Sequence, residues 1–227
     1  MPRFWVWLVV VGIMGWLTLA PAAAPLGQPT MESLQPIAQV RQQPPRDSVT
    51  IQGVVTVPSG AFVSSTGDRG FALQDATGGI YISTAADWHL ALNQTIQIRG
   101  SVHDDGHGLL VLTPDDRSPV QKLVGPHDPL RPRPVSTGIV GETTEGELLQ
   151  LQGTITQPLR QDPPYGVGIM LDDGSGPVQV FINQSTGIAI PDWQPGQRLL
   201  VQGFSGQYEQ YIEVNPRIES DLEAIEF

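Results

Sequence analysis

The second half of this chain repeats the first at a spacing of roughly one hundred residues, a length suited to one small β-barrel. Ile51-Gln52-Gly53-Val54-Val55-Thr56 returns as Leu151-Gln152-Gly153-Thr154-Ile155-Thr156. The block Leu73-Gln74-Asp75-Ala76-Thr77-Gly78-Gly79-Ile80-Tyr81-Ile82 returns as Leu171-Asp172-Asp173-Gly174-Ser175-Gly176-Pro177-Val178-Gln179-Val180. Gln94 to Gly100 is echoed by Gln197 to Gly203, and Asp87-Trp88 by Asp192-Trp193. Matching blocks in one order point to duplication of a folding unit. Duplication constrains architecture far more than ligand, because one fold hosts many functions.

Residues 1–24 read as a secretory signal. Arg3 precedes an unbroken apolar run from Phe4 to Leu17, which fades into Ala20-Pro21-Ala22-Ala23-Ala24. Positive end, apolar stretch and small-residue exit come in the order of an export leader, and cleavage is expected near Ala22 to Ala24. The competing reading is a retained anchor, for which the run is short. No later stretch is long enough to cross a bilayer as a helix, so the expected location of the mature chain is the periplasm or the exterior. The chain has no cysteine. That excludes a disulfide framework, a thiolate zinc site, an iron–sulfur cluster and a cysteine nucleophile. The formal net charge is −11, and Lys122 is the single lysine. Non-specific binding of a phosphate backbone calls for the opposite sign, although a local basic groove is compatible with an acidic whole.

Alternation of apolar and polar residues outlines five short strands in each half. In the first these centre on Val49 to Val55, Phe71 and Leu73, Ile80 and Ile82, Ile96 and Ile98, and Leu109 to Leu112. The second follows with Leu149 to Ile155, Ile169 and Leu171, Val178 to Ile182, Leu199 and Val201, and Tyr211 to Val214. A glycine bends the first strand of each half, and a tight Asp/Gly turn joins strands two and three. This pattern predicts an all-β chain of two tandem five-stranded Greek-key OB-fold barrels; an immunoglobulin-like sandwich needs about seven strands. The expected organisation is a leader over 1–24, a lead-in with a short helical turn at Ile37 to Val40 over 25–47, barrel one over 48–124, a proline-rich linker over 125–144, and barrel two over 145–227. The apolar face of the helical turn is placed to plug one end of a barrel.

The Ile51-Gln52-Gly53-Val54-Val55 strand, the Gln74 to Ile82 block and the Gln94 to Gly100 strand together resemble the bacterial OB-fold modules attached to secreted nucleases and found in stress-associated periplasmic proteins. The likeness covers about 75 residues in each half. It implies an OB barrel and a single-stranded nucleic acid or oligosaccharide ligand, without catalysis, since the nuclease activity of such proteins resides in other domains. The second half departs from the block at Pro177 and Gln179, so the likeness does not imply one shared ligand for both halves.

OB barrels take ligands on the outer surface of strands two and three, between the loops that follow strands one and four. Alternation turns Gln74 and Tyr81 outward in the first half and Gln179 and Phe181 in the second. An outward aromatic stacks a base or a sugar ring; the alternative for Tyr81 is burial under a loop or the neighbouring domain. Arg69, Arg99 and Arg198 are the cations nearest these faces, able to grip a phosphate or carboxylate, or else solvated surface charges. His103-Asp104-Asp105-Gly106-His107 and Asp172-Asp173-Gly174-Ser175-Gly176 read as turns rather than metal loops. Trp88 and Trp193 read as barrel caps. No nucleophile elbow, P-loop or zinc helix is present. The expectation is therefore an exported, non-enzymatic binding protein without cofactor or metal. The alternative function is a protein-interaction or scaffold module with a protein partner and no nucleic-acid ligand.

Overall fold

The computed structural model describes residues 33–42, 48–64, 67–115, 120–124 and 130–225. The leader at 1–24, residues 25–32 and 43–47 of the lead-in, and residues 125–129 of the linker lie outside the described residues. Among the described residues no helix is long and apolar enough to cross a membrane.

The first half is a closed barrel. Its strands are β1 (Val49–Val57), β2 (Phe71–Gln74), β3 (Gly79–Ile82), β4 (Thr95–Asp104) and β5 (Leu110–Pro114), with a short β6 (Gln121–Leu123) laid on β4. The pairing order is β1-β2-β3-β5-β4, and β4 returns to β1. β3 and β5 run parallel, and the other barrel pairings are antiparallel. This is the Greek-key order of an OB barrel. One strand must serve both sides of the closure, and β1 does so: Val49 to Val54 pair with β4, and Val54 to Val57 with β2. Gly53 stands at the changeover, where an added Cβ would lie 2.9 Å from the carbonyl oxygen of Gln74. Ile51, Val55, Phe71, Leu73, Ile80, Ile82, Ile96 and Ile98 fill the interior, and Trp88 packs on Phe71 with ring centroids 5.6 Å apart.

The helix α1 (Ile37–Arg41) inserts Ile37 and Val40 into this core. A five-residue helix is not stable alone, so its position depends on outside bonds. The Ile37 N–H donates to Asp75 in the β2–β3 turn (2.9 Å), and the Ala38 N–H donates to Thr77. The other oxygen of Asp75 accepts from the Thr77 and Gly78 amides, so one carboxylate shapes the turn and caps the helix.

The second half adds β7 (Arg133–Pro134), β8 (Leu148–Ile155), β9 (Arg160–Asp162), β10 (Gly166–Asp172), β11 (Val178–Asn183), β12 (Arg198–Tyr208), β13 (Tyr211–Asn215) and β14 (Leu222–Ile225). They form a second sheet, β14-β12-β13-β11-β10-β8-β7, with β12 also paired to β8 and β9 laid on β10. Its own core is built from Leu149, Leu151, Ile169, Leu171, Val180, Leu199 and Val201, with Trp193 packed in. The capping device recurs as well. Thr137, at the start of a 3-10 turn over Thr137–Ile139, donates its N–H and its hydroxyl to Asp173, the counterpart of Asp75. Bonds from the Ser175 side chain and amide and from Thr137 hold the Asp173 carboxyl well below the usual carboxylate range. The second part of the expected linker is therefore folded structure: Arg133 and Pro134 pair with β8, and Thr137 is anchored to the β10–β11 turn. Strands β6, β7, β9 and β14 go beyond the five expected per half; they are two to four residues long and carry too little alternation to register.

The described residues of both halves belong to one compact unit. Phe204 of β12 is 3% exposed and packs among Val57, Ala61, Ala72, Tyr81 and Val111 of the first barrel. Around it, the Leu148 N–H donates to the Gln74 side chain (2.7 Å), Ser185 bonds the backbone of Ala61 and Val63, and the buried Arg217, paired with Asp221, donates to the Thr56 carbonyl (2.7 Å). Arg41 of α1 bridges to Glu145 at 2.8 Å, and Glu145 also accepts from the Leu110 amide. Burial raises the Glu145 pKa despite this partner. Gly79 and Gly146 meet backbone to backbone: a Cβ on Gly79 would fall 1.9 Å from the Gly146 oxygen. That contact accounts for Gly79 where the repeat has Pro177.

Phe204→Ala is expected to lower the unfolding free energy by about 3–5 kcal/mol, the range for truncating a buried phenylalanine. Asp75→Ala is expected to cost about 1–2 kcal/mol through the lost cap. Urea titrations followed by tryptophan fluorescence measure both.

Candidate ligand face and inter-half cleft

The faces expected to take ligand have different fates in the two halves. In the first, Ala72 pairs with Tyr81 and Tyr81 with Val111, and these residues are the ones that Phe204 covers. Tyr81 is 7% exposed, with its ring 5.8 Å from that of Phe204. Its hydroxyl donates to Asp68 (2.9 Å), which also accepts from Ser83 and the Gly70 amide. Burial first, and the neighbouring Asp68 second, push the phenol pKa well above its ordinary value. Tyr81 is thus a packing residue at the junction, and its ring face is not offered as a stacking platform. The physical reason is the second half, which occupies the space a ligand would take.

In the second sheet the corresponding face is built by register, since residues paired across strands point the same way. Met170 pairs with Gln179, Gly168 with Phe181, and Gly166 with Asn183. On the other side Gln179 pairs with Glu213, which pairs with Gly206 of β12; Tyr211 pairs with Tyr208, and Asn215 with Phe204. The short β9 brings Arg160 opposite Gly168. Glycines at 166, 168 and 206 leave a shallow floor between larger side chains.

A chain of polar groups crosses this floor. Arg160 donates to Gln179 (3.5 Å), the Gln179 amide donates to Glu213, Glu213 is also hydrogen-bonded to Asn215, and Asn183 donates to Asn215 (3.0 Å). Burial is the largest influence on Glu213 and pushes its pKa from 4.5 up to about 7, against the bonds from Gln179 and the positive Arg160. The Arg160 guanidinium lies 5.7 Å from the centroid of the Tyr211 ring, within cation–π range, and 3.7 Å from Asp162. Tyr208 and Tyr211 are 52% and 40% exposed.

At one end this face runs into the first barrel. There a cleft of about 330 Å³ lies between Phe62, Asp68, Tyr81, Ser83 and Val111 on one wall and Asn183, Phe204, Gly206, Glu213 and Asn215 on the other. Its rim is the His107 ring, from the β4–β5 hairpin, stacked on Tyr208 at 5.0 Å. The aspartates of that hairpin hold its turn: Asp104 accepts from the Gly106 amide, and Asp105 from those of His107 and Leu109.

Of the residues singled out from sequence, Gln179 and Phe181 lie side by side on the second face, both largely buried. Gln74 is engaged by Leu148 at the junction. Arg69 is exposed in the loop before β2. Arg99 pairs across from Thr50 and bonds Asp115 at 3.0 Å, while Arg198 sits opposite Thr154. These last two stand where β4 and β12 meet the first strands of their halves, off the face. Arg160, Glu213, Asn215, Asn183 and the tyrosines of β12–β13 were not anticipated. The alternation Tyr211-Ile212-Glu213-Val214-Asn215 carried the signal for three of them; Arg160 lies on a three-residue strand that alternation does not mark.

No protein-family model matches the chain, and no curated protein does. Among solved structures, it is similar to a murine DNA-binding protein bound to double-stranded DNA, with a TM-score of 0.42, 12% identity, and 80% of this chain and 97% of that one covered. It is similar to the Ifi202 HINa domain in complex with 20-bp double-stranded DNA, at 0.40 and 9%, covering 80% and 100%. A replication protein A heterotrimer bound to single-stranded DNA matches at 0.35 and 12%, covering 82% and 50%. Likenesses this distant carry no argument about the ligand of this chain.

Glu213 has its pKa raised on folding, so its contribution to stability is complete below about 4.5 and is lost as pH rises through about 7. Glu213→Gln is therefore expected to stabilise the protein at pH 8 by up to about 3 kcal/mol, and to change little at pH 4.5. Urea titrations of both proteins across that pH range read the difference directly.

Proposed function

We propose that this is an exported, non-catalytic binding protein of two tandem OB-type barrels, and that its ligand is an oligosaccharide held on the outer face of the second. The strand-for-strand recurrence of pairings, from β8 through β10, β11, β13 and β12 back to β8, supports reading the second sheet as a barrel like the first. The observation that carries the ligand is the amide and carboxylate chain of Gln179, Glu213, Asn215 and Asn183 beside the exposed rings of Tyr208 and Tyr211. Sugar hydroxyls donate and accept at once, and a mixed set of carboxylate and amide groups answers both; a tyrosine ring covers the apolar face of a pyranose. A polyphosphate chain would instead need several cations. Here Arg160 is shared with Asp162, in a chain of net charge −11.

Single-stranded nucleic acid is the second reading. It is favoured by the Arg160–Tyr211 pair, which offers a stacking ring beside a guanidinium. Calorimetric titration of neutral oligosaccharides and fluorescence anisotropy with labelled single-stranded DNA and RNA, at low and physiological salt, separate the two. The expected outcome is oligosaccharide binding that salt leaves unchanged and that Tyr211→Ala weakens about tenfold. Oligonucleotide binding that falls steeply with salt would replace it with the second reading. Binding of neither class would overturn both and leave a protein partner as the ligand.

A further inference from the structure

The inter-half cleft differs from the open face in what lines it. Aromatic rings reach it from both halves: Phe62 and Tyr81 from the first barrel, the His107 imidazole from the β4–β5 hairpin, and Phe204 and Tyr208 from β12. Phe62 and Tyr81 each approach the Phe204 ring, at 6.2 and 5.8 Å, with planes tilted by 48° and 56°. Rings tilted in this way make a corner and not a flat pile. From that corner the lining runs along β12 through Gly206 and Gln207 to Tyr208, on which His107 is stacked at 5.0 Å. The hairpin is tied down there by the Glu209 amide, which donates to the His107 carbonyl (2.6 Å). The volume of the cleft, about 330 Å³, suits a small ligand.

Three carboxylates stand among these rings, Asp68, Asp105 and Glu213, and among the described residues lining the cleft there is no lysine or arginine. Each carboxylate is bonded to neutral donors. Asp68 accepts from the Tyr81 and Ser83 hydroxyls and the Gly70 amide, Asp105 from the His107 and Leu109 amides, and Glu213 from the Gln179 and Asn215 side chains. Arg160 favours the charged form of Glu213 from the other end of the Gln179 amide, where it is shared with Asp162, outside the cleft lining. The negative charge of the cleft therefore has no lysine or arginine counter-charge among its described lining residues.

Aromatic rings backed by carboxylates that are already hydrogen-bonded select among cations. A metal ion needs several ligands brought together, and among the described residues no group of three His, Asp or Glu side chains could hold one. A primary ammonium brings three N–H donors that each want an acceptor, whereas Asp68 already accepts three bonds. A quaternary ammonium brings charge and no donor, and is attracted both by the ring quadrupoles and by the negative charge behind them. We infer that the inter-half cleft is an aromatic cage for the quaternary ammonium group of a small organic cation such as choline. A ligand with an anionic group beside the ammonium is disfavoured by the same carboxylates. This site goes beyond the oligosaccharide reading and does not rest on it: it uses Tyr208 and Glu213 but not Tyr211.

The test is calorimetric titration of the purified full chain at pH 8, above the Glu213 pKa of about 7, with tetramethylammonium, choline, glycine betaine and dimethylbutanol, the neutral analogue of choline with a tert-butyl group in place of trimethylammonium. The expected result is that choline and tetramethylammonium bind about tenfold or more tighter than the neutral alcohol, with glycine betaine weaker than choline. Tyr208→Ala and Glu213→Gln are each expected to weaken choline several-fold, while Tyr208→Phe, which keeps the ring, and Tyr211→Ala, outside the cleft, leave it unchanged. Tyr208 is 52% exposed and Glu213→Gln is expected to stabilise the fold at this pH, so loss of binding in these variants does not report unfolding. Absence of binding by both cations overturns the cage. Equal binding of the neutral alcohol overturns it too and leaves an apolar pocket, and choline binding lost in Tyr211→Ala but kept in Tyr208→Ala moves the cation out of the cleft. None of these outcomes touches the oligosaccharide reading, which its own titrations decide.

Discussion

The packing of Phe204 against Tyr81 decides what each half of this protein is free to do. A small barrel of this size encloses a modest core, and apolar surface left on its outside favours association. Ala72, Tyr81 and Val111 present such a surface, and Phe204 covers it. The polar bonds around the contact, from Arg217 to the Thr56 carbonyl, from Leu148 to Gln74, and between Arg41 and Glu145, satisfy groups that burial would otherwise leave costly. The outer face of the first half becomes the second half's support.

The consequence for the second half is asymmetry. Its face keeps a polar row beside the buried Phe181 ring, and Glu213 is held half-hidden among amides with its pKa pushed up to about 7. Where the face meets the first barrel, two walls of different origin enclose a cleft that neither half has alone. Binding sites are common at such junctions, since concavity comes free with the meeting of two convex bodies.

Much of this was legible in the sequence. The order of strands, the glycine at the bend of β1 and the Asp75 turn all follow from local rules: period-two alternation, the space a bent strand leaves, and the turn chemistry of Asp, Thr and Gly. The Asp75 and Asp173 blocks were the most specific feature of the repeat, and their job is to cap the short helical segment leading into each half. Tyr81 and Gln179 were both placed on outer faces by alternation, which is true of each. Alternation says which side of a strand a residue takes, and nothing about what stands on that side.

The sequence by itself determined the all-β architecture, because strand formation and turns depend on neighbours a few residues away. Only the tertiary structure decided which face is covered and which is open. That choice depends on contacts between residues far apart in the chain, such as Tyr81 with Phe204 or Arg41 with Glu145, and on the close backbone approach of Gly79 to Gly146. No local pattern in either half encodes the partner that the other half supplies.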